Sequence, residues 1–183
     1  MKSFIGYGKI FLLGTFAVLL LSVYIYRPLD RPPLPREIIF WVVLINFSIA
    51  IIEEILLRAL LLKTFQRIFV NNAMLAIIIT SAIFGLAHIP GMISEDVLVI
   101  AIRILGTMAV GVSLSLIYLK TGNLWTVIIL HFILNCFGTI IYYFSNSTDA
   151  YEIAKIWPIP MMIVCIINLL TIKVKQIEQK TSA

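Results

Sequence analysis

Apolar positions in this chain fall in long unbroken runs, not in the alternating pattern of a half-buried strand or the striped pattern of a surface helix. Six such runs stand out, at about 10–26, 38–62, 72–89, 97–119, 124–144 and 156–172. A helix needs about 20 apolar residues to cross about 30 Å of hydrocarbon, and each run is near that length. Within lipid the backbone must satisfy its own hydrogen bonds, which helices do and open strands do not. The pattern therefore predicts an all-α fold, a polytopic transmembrane helix bundle of about six spans. The segments between the runs carry stop signals. "RPLDRPPLPRE" breaks helix with prolines and brings charges that want water, Pro90 and Gly91 in "HIPGMISED" end the third run, and "KTGNLW" is a short turn with an interfacial Trp125. In the same loop Glu95 and Asp96 suit the start of the fourth helix. With no repeat and no low-complexity tract, residues 1–183 read as a single membrane-embedded domain with its informative core at about 38–144.

Composition agrees. The chain is 61% hydrophobic and 13% charged, against roughly 25% charged in a soluble domain. Its net charge of +5 is no nucleic-acid signal, because the basic residues mostly flank the apolar runs; the expected surroundings are membrane lipid, and no nucleic acid is expected as a partner. Lys2 and Lys9 before the first run mimic a signal peptide, but no A-x-A-like site follows, so the first run reads as a retained span. With the N-terminus inside, inner segments hold eight Lys and Arg (Lys2, Lys9, Lys63, Arg67, Lys120, Lys173, Lys175, Lys180) and outer segments four (Arg27, Arg31, Arg36, Lys155). This bias predicts a multi-pass integral membrane protein with both termini cytoplasmic, in the plasma membrane if the source is bacterial. Cys136 and Cys165 lie in apolar runs and read as small buried hydrophobes, not a disulfide.

One run breaks the apolar rule. "IIEEILLRALLL", from Ile51 to Leu62, carries Glu53, Glu54 and Arg58. Each charge near the bilayer centre costs at least about 2.5–3.5 kcal/mol on insertion scales, so each needs a partner or a task. Glu54 and Arg58 are four apart, share a helix face and can pair. Glu53 is turned about 100° from Glu54 and has no partner in its own turn. Glu54 with Arg58 reads as a brace, and Glu53 as the working group. The chain's two histidines also lie in apolar runs: His88 closes "SAIFGLAH", and His131 opens "HFILN", with Asn135 four residues on along the same face. Polar groups this costly converge on one wet cavity.

The residue types suggest hydrolysis. Glu53 beside His88 can bind and deprotonate a water, and His131 with Asn135 can donate to a developing oxyanion. No serine or cysteine has a histidine at motif spacing, which favours water over a covalent nucleophile. H-E-x-x-H is absent, yet Glu53, His88 and His131 also form a His2Glu set able to hold zinc, and spacing leaves that option open.

Together these residues resemble the CPBP family of intramembrane proteases, named for CAAX proteases and bacteriocin-processing enzymes and also called Abi proteins. The family pattern is E-E-x-x-x-R, then F-x-x-x-H, then H-x-x-x-N. Here it reads Glu53-Glu54 with Arg58, Phe84 with His88, and His131 with Asn135, with "TGNLW" as a lead-in to the last motif. The resemblance covers about Ile51 to Asn135. It implies a helical membrane bundle whose site opens within the bilayer and a glutamate-dependent endopeptidase acting on a membrane-associated peptide or protein, CAAX-type or bacteriocin-related. By that resemblance Glu53 activates water with His88, Glu54 and Arg58 support, His131 and Asn135 stabilise the oxyanion, and no metal or other cofactor is required, with zinc the alternative. The chain departs from the family at Ala59, where glycine is common. The alternative function is a non-catalytic bacteriocin-immunity or regulatory membrane protein; a small transporter using Glu53 as a proton site is disfavoured by the lack of repeats. Arg103 is expected to snorkel, Gly106 and Gly111 to be ordinary helix contacts, and Tyr142, Tyr143, Phe144 and Trp157 to anchor at the interface.

Overall fold

The computed structural model describes residues 8–17, 20, 35–70, 72–89, 96–144 and 157–172. Among them six helices form and no strand: α1 (Gly8–Ala17), α2 (Arg36–Ile68), α3 (Ala73–Leu86), α4 (Val97–Thr121), α5 (Leu124–Phe144) and α6 (Pro158–Thr171). The all-α bundle predicted from the apolar runs is what the chain adopts. Two of the helices, α2 and α4, are long and apolar enough to cross a membrane, and α1, α3 and α6 are shorter apolar helices, as is the 124–139 portion of α5. The loop around Pro90, Gly91 and Glu95, the segment holding Arg27 and Arg31, the SNSTDAYE segment, and the side chains of Tyr142, Tyr143 and Phe144 lie outside the described residues.

Local chemistry sets the helix ends. The Asn72 side chain accepts from the Leu75 N–H at 3.0 Å to start α3, and Asp96 accepts from the Leu98 N–H at 2.8 Å to start α4. Gly122 closes α4 in the left-handed region, at φ 65°, donating its N–H to the Tyr118 carbonyl, and Asn123 then accepts from the Trp125 N–H to begin α5. The KTGNLW turn is thus a glycine stop followed by an asparagine start. Trp125 stands exposed beside it.

Helix α2 runs six residues past the apolar stretch seen in the sequence. No proline or glycine interrupts it before Ile68, so it carries Lys63 and Arg67 on its last turns. Within it, Ile55–Leu62 is π-helical. There each N–H reaches five residues back instead of four, which widens the helix and turns the following side chains. Leu57, Arg58 and Leu62 of this segment are buried.

Helix α4 is the centre of the bundle, buried mainly over its second half from Gly106 to Tyr118, with α3 on one side and α6 on another; α5 lies against α2. Gly106 and Gly111 serve different neighbours. A Cβ on Gly106 would fall 2.8 Å from the Cα of Pro158 in α6, and one on Gly111 would fall 3.1 Å from the Cα of Ser81 in α3. Five residues turn an α-helix by about 140°, so the spacing that misses a single-face motif suits two close approaches on two faces. The outer surface is apolar, with Phe40, Trp41, Ile45, Ile52, Leu56 and Leu60 of α2 all exposed. Such a continuous apolar exterior fits lipid, not water. Trp157, expected at the interface, is half-buried against the core, and Arg103 is half-buried.

Candidate active site

The charges of α2 meet α4 and α5 in the interior. Oε1 of Glu54 accepts from Nη1 of Arg58 at 2.7 Å, the helical pair its spacing predicts. The same oxygen lies 2.8 Å from Nδ1 of His131 on α5. Arg58 sends Nη2 to the Gly111 carbonyl on α4 at 3.2 Å, and its guanidinium lies over the Phe84 ring of α3, 5.2 Å from the centroid. Glu54, Arg58 and His131 are all buried. One buried carboxylate and one guanidinium therefore tie four helices together.

Glu53 lies at the edge of this cluster. Its Oε2 is 3.4 Å from Nε2 of His131, and its side chain is 31% exposed where that of Glu54 is 0% exposed. The His131 ring thus stands between two carboxylates, with Glu54 on Nδ1 and Glu53 near Nε2. An ionised Glu54 only accepts, so Nδ1 of His131 donates to it, which fixes the ring and turns Nε2 toward Glu53. At 3.4 Å the contact with Glu53 is looser than the 2.7–3.2 Å of a good N–H···O bond.

His88 lies one turn past Phe84, just beyond the end of α3. Its Nδ1 is 2.8 Å from the Phe84 carbonyl. A carbonyl cannot donate, so Nδ1 carries the proton and Nε2 of the neutral ring offers its lone pair. The Phe84 ring packs edge-on to both histidines, at 4.9 Å from His88 and 5.6 Å from His131. Asn135 lies one turn along α5 from His131 and is half-buried. Its side-chain amide makes no hydrogen bond with the described residues, while its backbone carbonyl accepts from Oγ1 of Thr139 at 3.0 Å.

Glu53, Glu54, Arg58 and His131 are therefore in direct contact, and His88 joins them through Phe84. Among the described residues neither His88 nor Asn135 bonds Glu53 directly. Glu53, His88 and His131 do not gather as metal ligands there, since no three carboxylate, imidazole or thiol groups converge with such geometry. One contributor gave no sign in the sequence: the Gly111 carbonyl is a backbone group. Phe84 was marked by the F-x-x-x-H pattern, but its contacts with Arg58 and His131 were not. Ala59, the departure from the family pattern, lies half-buried inside the π segment.

No curated protein and no solved structure matches the chain. Residues 35–137, more than half of the chain and the part that holds every charged or polar group of this site, match the family described as type II CAAX prenyl endopeptidase Rce1-like. Members of that family are peptide hydrolases working on substrates held in a membrane, and the helical bundle with its apolar exterior and buried charge cluster is in keeping with that activity: the chain belongs to the type II CAAX prenyl endopeptidase Rce1-like family.

Proposed function

We propose that the protein hydrolyses a peptide bond near the end of a prenylated, CAAX-type membrane-associated substrate, with Glu53 as the base. The observation that carries this is the contrast between the two glutamates. Glu54 is buried and committed to Arg58 and His131, whereas Glu53 is partly exposed and, among the described residues, reaches only His131. A base must reach water and substrate, and Glu53 is the carboxylate of the cluster placed to do so.

In the proposed reaction Glu53 takes a proton from a water whose position is shared with the Nε2 lone pair of His88. The water oxygen attacks the scissile carbonyl carbon, and the carbonyl electrons move to its oxygen. The uncommitted amide of Asn135 stabilises that oxyanion, and His131, with Nδ1–H held by Glu54, adds a second donor when Nε2 also carries a proton. Collapse re-forms the carbonyl, breaks the C–N bond and returns the proton from Glu53 to the leaving amine. Glu54 and Arg58 hold His131 and the helices in place. No step calls for a metal ion. The lysine and arginine bias of the loops supports an orientation with both termini cytoplasmic, where the inner ends of α2 and α4 carry Lys63, Arg67 and Lys120.

Glu53→Gln keeps the shape and removes the base. Purified in detergent, it is expected to lose at least about 100-fold in turnover of a prenylated CAAX peptide, the scale of general-base catalysis, with an unchanged melting temperature. Turnover within a factor of two of the parent overturns the assignment.

A further inference from the structure

Beyond the charge cluster, α2 and α5 share a second polar contact about two turns away. Nδ2 of Asn46 lies 2.8 Å from the Val42 carbonyl and 3.1 Å from Oγ1 of Thr139. The Val42 carbonyl only accepts, which fixes Nδ2 as the atom that faces it and leaves the second N–H for Thr139. The Thr139 hydroxyl has one proton. Its nearer acceptor is the Asn135 carbonyl at 3.0 Å, with Oδ1 of Asn46 farther at 3.4 Å. The result is a directional chain from the backbone of α2 to the backbone of Asn135, through Asn46 and Thr139, with every donor used.

Register gives this chain a consequence. In antiparallel helices, paired residue numbers share a constant sum. Glu54 with His131 and Asn46 with Thr139 both sum to 185. Midway between these links the same register sets Asn135 opposite Ala50, which is fully buried. Alanine has no group to pair with the Asn135 amide, and that amide is left without a partner among the described residues. Asn46 also lies seven residues before Glu53, within about 20° of the same α-helical face. Two polar links therefore bracket one uncommitted amide, and the outer link ends on that residue's own carbonyl.

We infer that Asn46 and Thr139 are positioning residues: their hydrogen-bonded pair fixes the register of α5 on α2 and so holds the Asn135 amide at its height relative to Glu53. This rests on the proposed role of Asn135 as an oxyanion donor. A donor that must meet charge only in the transition state gains most from being held, and a 1 Å misplacement costs up to about 100-fold in rate. The pair does not touch the substrate, so its loss is read in kcat and not in KM.

The test uses purified protein in detergent and a prenylated CAAX peptide that the parent cleaves. Thr139→Val, isosteric without the hydroxyl, is expected to lower kcat about 10- to 100-fold with KM within twofold and the melting temperature within a few degrees. Thr139→Ser, which restores the hydroxyl, is expected to restore kcat. Asn46→Leu combined with Thr139→Val is expected to be no worse than either alone, because one link is broken once. A kcat for Thr139→Val within twofold of the parent overturns the inference, as does an independent, multiplicative loss in the double variant or a Thr139→Ser variant as slow as Thr139→Val. Asn135→Ala separates the two readings. If it leaves kcat unchanged, the oxyanion role falls and the inference with it; if it slows turnover while Thr139→Val does not, the inference alone falls.

Discussion

Glu54 places two donors on one oxygen, and that sharing decides what its loss does. Removing it strips Arg58 of its carboxylate and His131 of the group that orients it, with both side chains buried. Breaking a buried pair by deleting one partner costs on the order of 3–5 kcal/mol, because the remaining charge is left uncompensated. Glu54→Ala is therefore expected to melt well below the parent in the same detergent as well as to turn over slowly; equal melting temperatures argue against the brace. Glu53→Gln behaves oppositely, slow but stable, since Glu53 is partly exposed and makes only the loose 3.4 Å contact with His131 among the described residues. A second expectation at this scale concerns metal. Glu53 works in the proposed reaction with His88 and water, so prolonged chelation is expected to leave cleavage intact; stoichiometric zinc that tracks activity through stripping and reloading would reassign Glu53, His88 and His131 as ligands. The Glu54–Arg58 pair was legible in the sequence because both members lie on one helix at a fixed spacing. The seat of His131 between both glutamates was not, because it depends on how α5 is phased against α2, and no spacing along one chain segment reports that.

Among the helices, the least legible feature is the change of period in α2. A reading at 3.6 residues per turn treats the apolar run from Ile38 to Leu62 as one uniform helix, since leucine and isoleucine everywhere leave no stripe to show where the π segment begins. The helix–helix contacts were hidden for a related reason: Gly106 and Gly111 do not fit a four-residue motif, but the structure uses them on separate faces of α4. Their replacement is expected to differ from that of a glycine without neighbours. Gly106→Val drives a side chain into the backbone of Pro158, which has no rotamer to move aside, and overpacking of this kind costs about 1–3 kcal/mol. Nothing lies within 4 Å of a Cβ on Gly138 of α5, so Gly138→Ala is expected to be neutral or stabilising by up to about 1 kcal/mol, from helix propensity alone. Thermal melts of the two variants beside the parent check both signs; a destabilised Gly138→Ala or an unaffected Gly106→Val contradicts the packing described here.

In the whole molecule, the apolar runs made the helical bundle legible from composition and run length, whereas neighbour relations and direction came only with the structure. Those relations carry an argument about the membrane. Helices α2 and α5 run antiparallel, as the pairs Glu54–His131 and Asn46–Thr139 require. Helices α3 and α4 also run antiparallel, since Gly85 meets Ile104 and Met108 while Ser81 meets Gly111. Helices α4 and α6 run parallel: Gly106 meets Pro158, and seven residues on in each helix Ser113 stands beside Cys165. If every helix crosses the bilayer once, neighbours of opposite parity in chain order must be antiparallel and neighbours of equal parity parallel. These three pairs obey that rule, and we propose on that ground six alternating crossings with both termini on one side. The loop charges favour one side in that proposal: with the termini cytoplasmic, eight Lys and Arg lie inside and four outside. Single cysteines introduced in a background lacking Cys136 and Cys165 read this directly with a membrane-impermeant thiol reagent on intact cells. Asn123→Cys, in the turn between α4 and α5, is expected to label only after the cells are opened, and Asp96→Cys, at the start of α4, to label from outside. The reverse pattern inverts the orientation. Labelling of both positions from one side breaks the single crossing of α4 and with it the alternation.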